Sequence, residues 1–380
     1  ISIKGYYRPP YHRLSYQRLP WTVDYLTVDH LLESKFTTDH SIYGRIHMKQ
    51  LNISKLATFL VLCFGMSWGA FALLQAQLSS SAWIQGILAI LFIWGPGIAA
   101  ILTHTFIWGE PLTTLGYYKK PLSWRDWSRS YLGPVGIVLF LLGVIFILGN
   151  VFHIPSAGRI VLPGNGAEEI QAYNMHFCGT GFNIFDYFFT KVYIINEILP
   201  GNSLYVGIKE GKEIVANSTA LNLIVLLILA WVLGTFLFSF ILRGEELGFR
   251  GFLLHELKSK GFLGSNLIIG TVWGLYASGP TLLMSSPGFS MGSLIFPTAF
   301  CISLSFPLAY LRINSGTIRS SSVFRGLLTV FTLLLFVLTW DTDIGIWGPT
   351  GLLGMGIFLI ITWFIIRRDP EFIKEYEPGE

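Results

Sequence analysis

Eight stretches of the chain run for roughly the thickness of a membrane with few charges. They are Leu56–Leu74, Trp83–Trp108, Tyr131–Phe152, Leu221–Leu242, Phe262–Leu283, Met291–Leu311, Val323–Thr339 and Thr350–Ile366. A helix crossing the bilayer core needs about 20 mostly apolar residues, so each stretch is predicted to be a transmembrane helix. The seventh is short and opens near the charged Arg325. The polar stretches between them alternate in charge. Lys49 and Lys55 precede the first span, Lys119, Lys120, Arg125 and Arg129 follow the second, and Arg243, Arg250, Lys258 and Lys260 follow the fourth. Arg312 and Arg319 follow the sixth, and Arg367, Arg368 and Lys374 the eighth. The intervening QAQLSSS, SSPGFS and DTDIG carry no Lys or Arg. By the positive-inside rule this alternation predicts an integral, multi-pass membrane protein with both termini cytoplasmic.

Composition agrees with the pattern. Of 380 residues, 52% are hydrophobic and only 13% charged, about half the charge of a soluble domain. The fold class expected is therefore all-α and polytopic, with about eight transmembrane helices and membrane lipid as a partner. The net charge of +4 is accounted for by the loops and argues against nucleic acid. Cys63, Cys178 and Cys301 are odd in number and widely spaced, which supports neither a disulfide framework nor a zinc ribbon.

Five regions follow. Residues 1–47 are polar and precede Met48, so they read as an N-terminal tail or a non-native extension. Residues 48–152 hold helices one to three, and 153–220 form a loop expected outside the cytoplasm. That loop is rich in carboxylates and contains FNIFDYFFTKVYII, an apolar piece with the look of an interfacial or re-entrant helix. Residues 221–340 hold the next four helices, and 341–380 the last helix and a cytoplasmic tail.

Chemistry concentrates at RGEELGFRGF, residues 243–252. On a helix Glu246 and Arg250 are four apart and can pair. Glu245 is turned about 100° from Glu246, free to face the bundle interior. Carboxylates at membrane depth are expensive and generally pair or act on substrate. Two readings stand on the cluster alone: a charged cap with an ion pair, or a reactive carboxylate.

The wider context narrows them. EELGFRGFLL, a short basic turn and IIGTVWGLY together resemble the CAAX prenyl protease and bacteriocin-processing family of intramembrane peptidases. Its E-E-x-x-x-R motif is met by Glu245, Glu246 and Arg250. MSWG, WGPGIAAIL and LSFPLAYLRINSGTI are similar to other family segments, so the resemblance runs from about Met48 to Val330. It implies a CAAX-protease-like core and hydrolysis of a peptide bond in a prenylated or membrane-anchored substrate. Glu245 would activate water, while Glu246 and Arg250 would be more structural. Two further family motifs, aromatic-x-x-x-His and His-x-x-x-Asn, would bind a metal, zinc, or stabilise an oxyanion.

Here those motifs are degenerate. Trp273 aligns with the aromatic, Ala277 with the first histidine, Arg325 with the second and Thr329 with the asparagine. The last histidine in the chain is His255, so no shift of alignment restores an imidazole. Ala277 offers no ligand atom, and a guanidinium keeps its proton and cannot ligate. Zinc wants three or four protein ligands, so no cofactor is expected. Arg325 is placed to pair with Glu245 and hold it charged, a poorer base. Two hypotheses remain open. One is a CAAX-type endopeptidase with impaired or lost catalysis, whose metal-free variant uses Arg325 as an oxyanion clamp. The other is a non-catalytic relative binding lipidated or membrane-embedded partners. In both, spans four to seven are expected to enclose a cavity open to the cytoplasmic side. His104, inside the second span, reads as an ordinary hydrogen-bonded helix histidine, and His255 as a surface residue.

Overall fold

The computed structural model describes residues 51–76, 82–117, 121–160, 220–284, 292–340, 342–370 and 372–373. The 1–47 stretch, Cys178 and the FNIFDYFFTKVYII segment lie outside the described residues.

Helices dominate. α1 spans Ile53–Gln75, capped by the Asn52 side chain, which accepts from the Lys55 amide at 3.0 Å. α2 spans Ala82–Ile101 and continues as a π-helical turn, Leu102–Ile107. α3 spans Trp124–Ile145, starts on a Ser123 cap and likewise ends in a π turn, Phe146–Val151. α4 covers Ala220–Val232 and runs on through Leu233–Phe238 and Ser239–Ile241. α5, Arg243–Glu246, passes into a π segment at Leu247–Leu253 and ends at Leu254–Glu256. Then come α6 (Gly261–Met284), α7 (Gly292–Ser315), α8 (Ile318–Leu338), the short α9 (Ile344–Trp347) and α10 (Leu352–Arg368). A two-residue antiparallel pair, β1 (Arg159–Ile160) with β2 (Thr339–Trp340), ties the far ends of α3 and α8.

Among the described residues, seven helices are long and apolar enough to cross a membrane. The fifth expected span, Phe262–Leu283, forms as α6 but is not among the seven. Its polar residues serve helix–helix contact: Ser265 Oγ donates to the Leu257 carbonyl at 2.7 Å, and Asn266 Oδ1 accepts from Ser305 on α7 at 3.2 Å. The seventh span starts five residues earlier than expected, at Ile318 rather than Val323. The SSS run at 320–322 lies inside it, and all three hydroxyls bond to nearby carbonyls, Ser322 to Ile318 at 2.8 Å and Ser320 to Leu311 at 3.0 Å. Arg325 thus sits two turns inside α8, not at its mouth.

The principal pairings are α6 along α7, α1 along α2 and α3 along α8. The site is positioned by a close crossing of α2 over α5. A Cβ on Gly97 would lie 2.8 Å from Gly244 Cα, and one on Gly248 would lie 2.5 Å from Pro96 Cβ. Small residues permit such approach of helix backbones in a membrane bundle. Gly244→Val should therefore push α2 off the motif segment and cost about 1–3 kcal/mol. Thermal unfolding in detergent checks this, and an unchanged midpoint would contradict it.

Candidate active site

The crossing places Glu245 and Glu246 side by side in the bundle, 4% and 0% exposed. Their surroundings differ. Glu245 Oε2 meets Arg325 Nη2 at 2.6 Å and accepts from the Trp273 indole N–H at 3.1 Å. Glu246 Oε1 contacts Arg250 Nη1 at 3.3 Å, one turn on, and Arg325 Nη1 at 3.4 Å. Arg325 therefore bridges both carboxylates, while Arg250 serves Glu246. Each guanidinium also lies over the Trp273 ring, at 4.1 Å for Arg250 and 4.5 Å for Arg325, a favourable cation–π placement. Two anions, two cations and one indole make a charge-balanced plug.

Beside the plug lies a cavity of ≈ 170 Å³ lined by Glu245, Trp273, Ala277, Arg325 and Thr329, among others. Four helices supply these side chains and their neighbours: α5, α6, α7 and α8, with Ile93 of α2 at one edge. Glu246 and Arg250 are not in its wall. Tyr276 and Cys301 are, though neither stood out in the sequence as a site residue. The Tyr276 hydroxyl donates to the Phe92 carbonyl, pinning α6 to α2. Its position three after Trp273, on the same helix face, was the available signal.

The cavity extends along α8. From Glu245 it runs past Thr332 and Leu333 to Pro349 and Thr350, in the turn between α9 and α10. That is the end of α8 remote from Ile318, and so the end away from most of the Lys and Arg. Arg250, Trp273, Phe249 and Phe252 are all buried beside the plug.

Whether a catalytic metal fits is decided by the donors present. The described wall offers one carboxylate already engaged by a guanidinium, an indole N–H, an alanine, hydroxyls and the Cys301 thiol, with no imidazole. Zinc sites call for three or more N, S or O ligands arranged around one point. This wall does not fit one.

Such a group exists elsewhere, and a lysine fills it. His104, Glu110 and Glu256 present ligand atoms within 4.8 Å of one another. The fully buried Lys55 ammonium meets Glu256 Oε1 at 2.7 Å, Glu110 Oε1 at 2.9 Å and His104 Nδ1 at 3.2 Å. His104 Nε2 adds Thr114 Oγ1 at 2.7 Å. Lys55 is thus an internal counter-ion joining α1, α2 and the end of the motif helix, not a solvated loop cation. Glu110 and Glu256 escaped sequence reading because each looked like a charge just past an apolar run. His255 is half-buried, with its ring 5.7 Å from that of His104.

Residues 220–331 match the family model described as type II CAAX prenyl endopeptidase Rce1-like. Over this stretch the chain is similar to type II CAAX prenyl endopeptidases. The matched stretch begins with α4 and reaches into α8, so it includes every motif position from Glu245 to Thr329. No curated protein matches the chain. With seven helices among the described residues long and apolar enough to cross a membrane, and this similarity, the chain is an integral multi-pass membrane protein.

Proposed function

We propose that this CAAX-protease-like protein holds a lipidated or membrane-embedded partner in the Glu245 cavity without cutting it. The observation that carries the reading is the 2.6 Å contact of Arg325 with the oxygen of Glu245 that also accepts the Trp273 N–H. A general base must be free to take a proton from water. Here Oε2 is already engaged by two donors, the Arg325 guanidinium and the Trp273 indole N–H. Ala277 and Thr329 occupy the places where the family resemblance calls for a histidine and an asparagine, and neither supplies a strong oxyanion donor or a metal ligand. Binding is still well served. Phe296, Phe300, Leu304 and Leu328 give the cavity an apolar wall suited to an acyl or prenyl chain, with the plug as its polar floor. The Lys- and Arg-rich end faces the cytoplasm in this reading, as the positive-inside rule directs.

The test is terminal-peptide mass spectrometry on membranes carrying wild type, Glu245→Gln or the triple variant Ala277→His/Arg325→His/Thr329→Asn. It is combined with labelling of the wild type by a photoreactive farnesyl probe. Wild type and Glu245→Gln should give the same termini, and the probe should mark the α7 and α8 cavity residues. New termini in wild type that vanish in Glu245→Gln would make it a metal-free peptidase with Arg325 as oxyanion clamp, overturning the proposal.

A further inference from the structure

The formal charges of the plug sum to zero. Glu245 pairs with Arg325 at 2.6 Å, and Glu246 with Arg250 at 3.3 Å and Arg325 at 3.4 Å. Among the described residues lining the cavity, Glu245 and Arg325 are the Asp, Glu, Lys or Arg side chains, and they already face each other. The rest of that wall is neutral or apolar, with Phe300, Leu304 and Leu328 contributing to it.

What this wall offers an occupant is a donor. The Arg325 side chain is 13% exposed and that of Glu245 5%, so the guanidinium is the more accessible partner of the pair. Thr329 follows Arg325 by four residues on α8, which sets both on one helix face, and it brings a hydroxyl to the same wall. A guanidinium has no acceptor atom, whereas a hydroxyl can donate or accept.

Given the binding role proposed above, we infer that the group an occupant seats against the plug is an uncharged acceptor, the ester or amide carbonyl of an apolar chain, and that a free carboxylate or phosphate is refused. The reason is the count of charges. A carboxylate brought to Arg325 would set three anions against two cations. However the pairs rearranged, one anion would stay unmatched inside a largely apolar cavity. Burying an unmatched charge costs far more than burying a neutral polar group that gains a hydrogen bond. An ammonium fails for the mirror reason, three cations against two anions. An ester carbonyl adds no charge and accepts from Arg325 or from the Thr329 hydroxyl. Neutrality at the plug, with length and bulk left to the apolar wall, is thus the selection this cavity makes.

The test is displacement of the photoreactive farnesyl probe from the full chain in detergent, by methyl hexadecanoate and by hexadecanoate. The two competitors share a chain and a carbonyl and differ in charge at about pH 9, where carboxylic acids are ionised. Each is scaled to its mole fraction in the micelle. In wild type the ester should halve labelling of the α7 and α8 cavity residues at a level roughly tenfold or more below that of the acid. Glu245→Gln leaves one anion facing two cations, and there the acid should match or overtake the ester. Equal displacement by both competitors in wild type, which needs no variant to fold, would overturn the neutral preference and leave the binding role standing. So would a folded Glu245→Gln protein that keeps the wild-type ratio. A probe that marks no cavity residue in wild type would instead remove the binding role, and the preference with it.

Discussion

Glu246→Ala is expected to destabilise the protein by about 3–5 kcal/mol, the usual effect of orphaning a buried charge. Its carboxylate is the counter-ion of Arg250, and both side chains are fully buried. Among the described residues, the other contact of Arg250 is the Trp273 face, at 4.1 Å. Arg325 would also lose its 3.4 Å partner. Two guanidiniums would then share Glu245 alone. Unfolding in detergent should show the melting midpoint falling by roughly 5–10 °C. Replacing both partners, in Glu246→Leu/Arg250→Met, should recover much of the loss, because an apolar pair is often as stable as a buried ion pair. A change within about 0.5 kcal/mol, the range of ordinary surface substitutions, would show that Glu246 is not the counter-ion the contacts make it. Glu245→Gln should be milder. Arg325 retains Glu246, its side chain is 13% exposed, and the amide oxygen can still accept the Trp273 N–H.

That contrast also shows how much could be read from sequence. Hydropathy located the helices, because in lipid the backbone bonds must be satisfied within each segment and apolar length is nearly the whole signal. It placed the start of α8 late, and α6 is less apolar than the other long helices, for one reason. Ser265, Asn266 and Ser320–Ser322 are polar by type but satisfied by carbonyls and neighbouring helices. A hydropathy count registers the group and not its partner. The motif residues were visible as Glu245, Glu246 and Arg250, since carboxylates in an apolar run are conspicuous. Their division of labour was only partly visible. Helical spacing pairs Glu246 with Arg250, but the bridging by Arg325 comes from 75 or more residues away and depends on how α8 packs. Even Gly244 and Gly248, which set the crossing with α2, look in sequence like ordinary small residues around a charged pair.

Lys55→Ala should have an effect as large as Glu246→Ala, for a reason on the opposite side of the motif helix. The ammonium is fully buried and pairs with Glu256, itself 2% exposed, at 2.7 Å. It also holds Glu110 and sits against His104. Removing it leaves two carboxylates facing each other across a void lined by an imidazole, and should cost about 3–5 kcal/mol. The void has a further property. His104, Glu110 and Glu256 already present donors within 4.8 Å of one another, the set of one imidazole and two carboxylates that a divalent cation accepts. Zinc added to Lys55→Ala should therefore raise its melting midpoint, because a ligand binding only the folded state stabilises it by mass action. Wild type should not respond, since its own ammonium fills the space. If Lys55→Ala melts like wild type, the node is a surface ion pair of little weight. If it melts low and zinc restores nothing, the three donors are held apart by their own repulsion once the lysine is gone. The lysine would then be what assembles them, the counter-ion that docks α1 onto the end of the helix bearing Glu245.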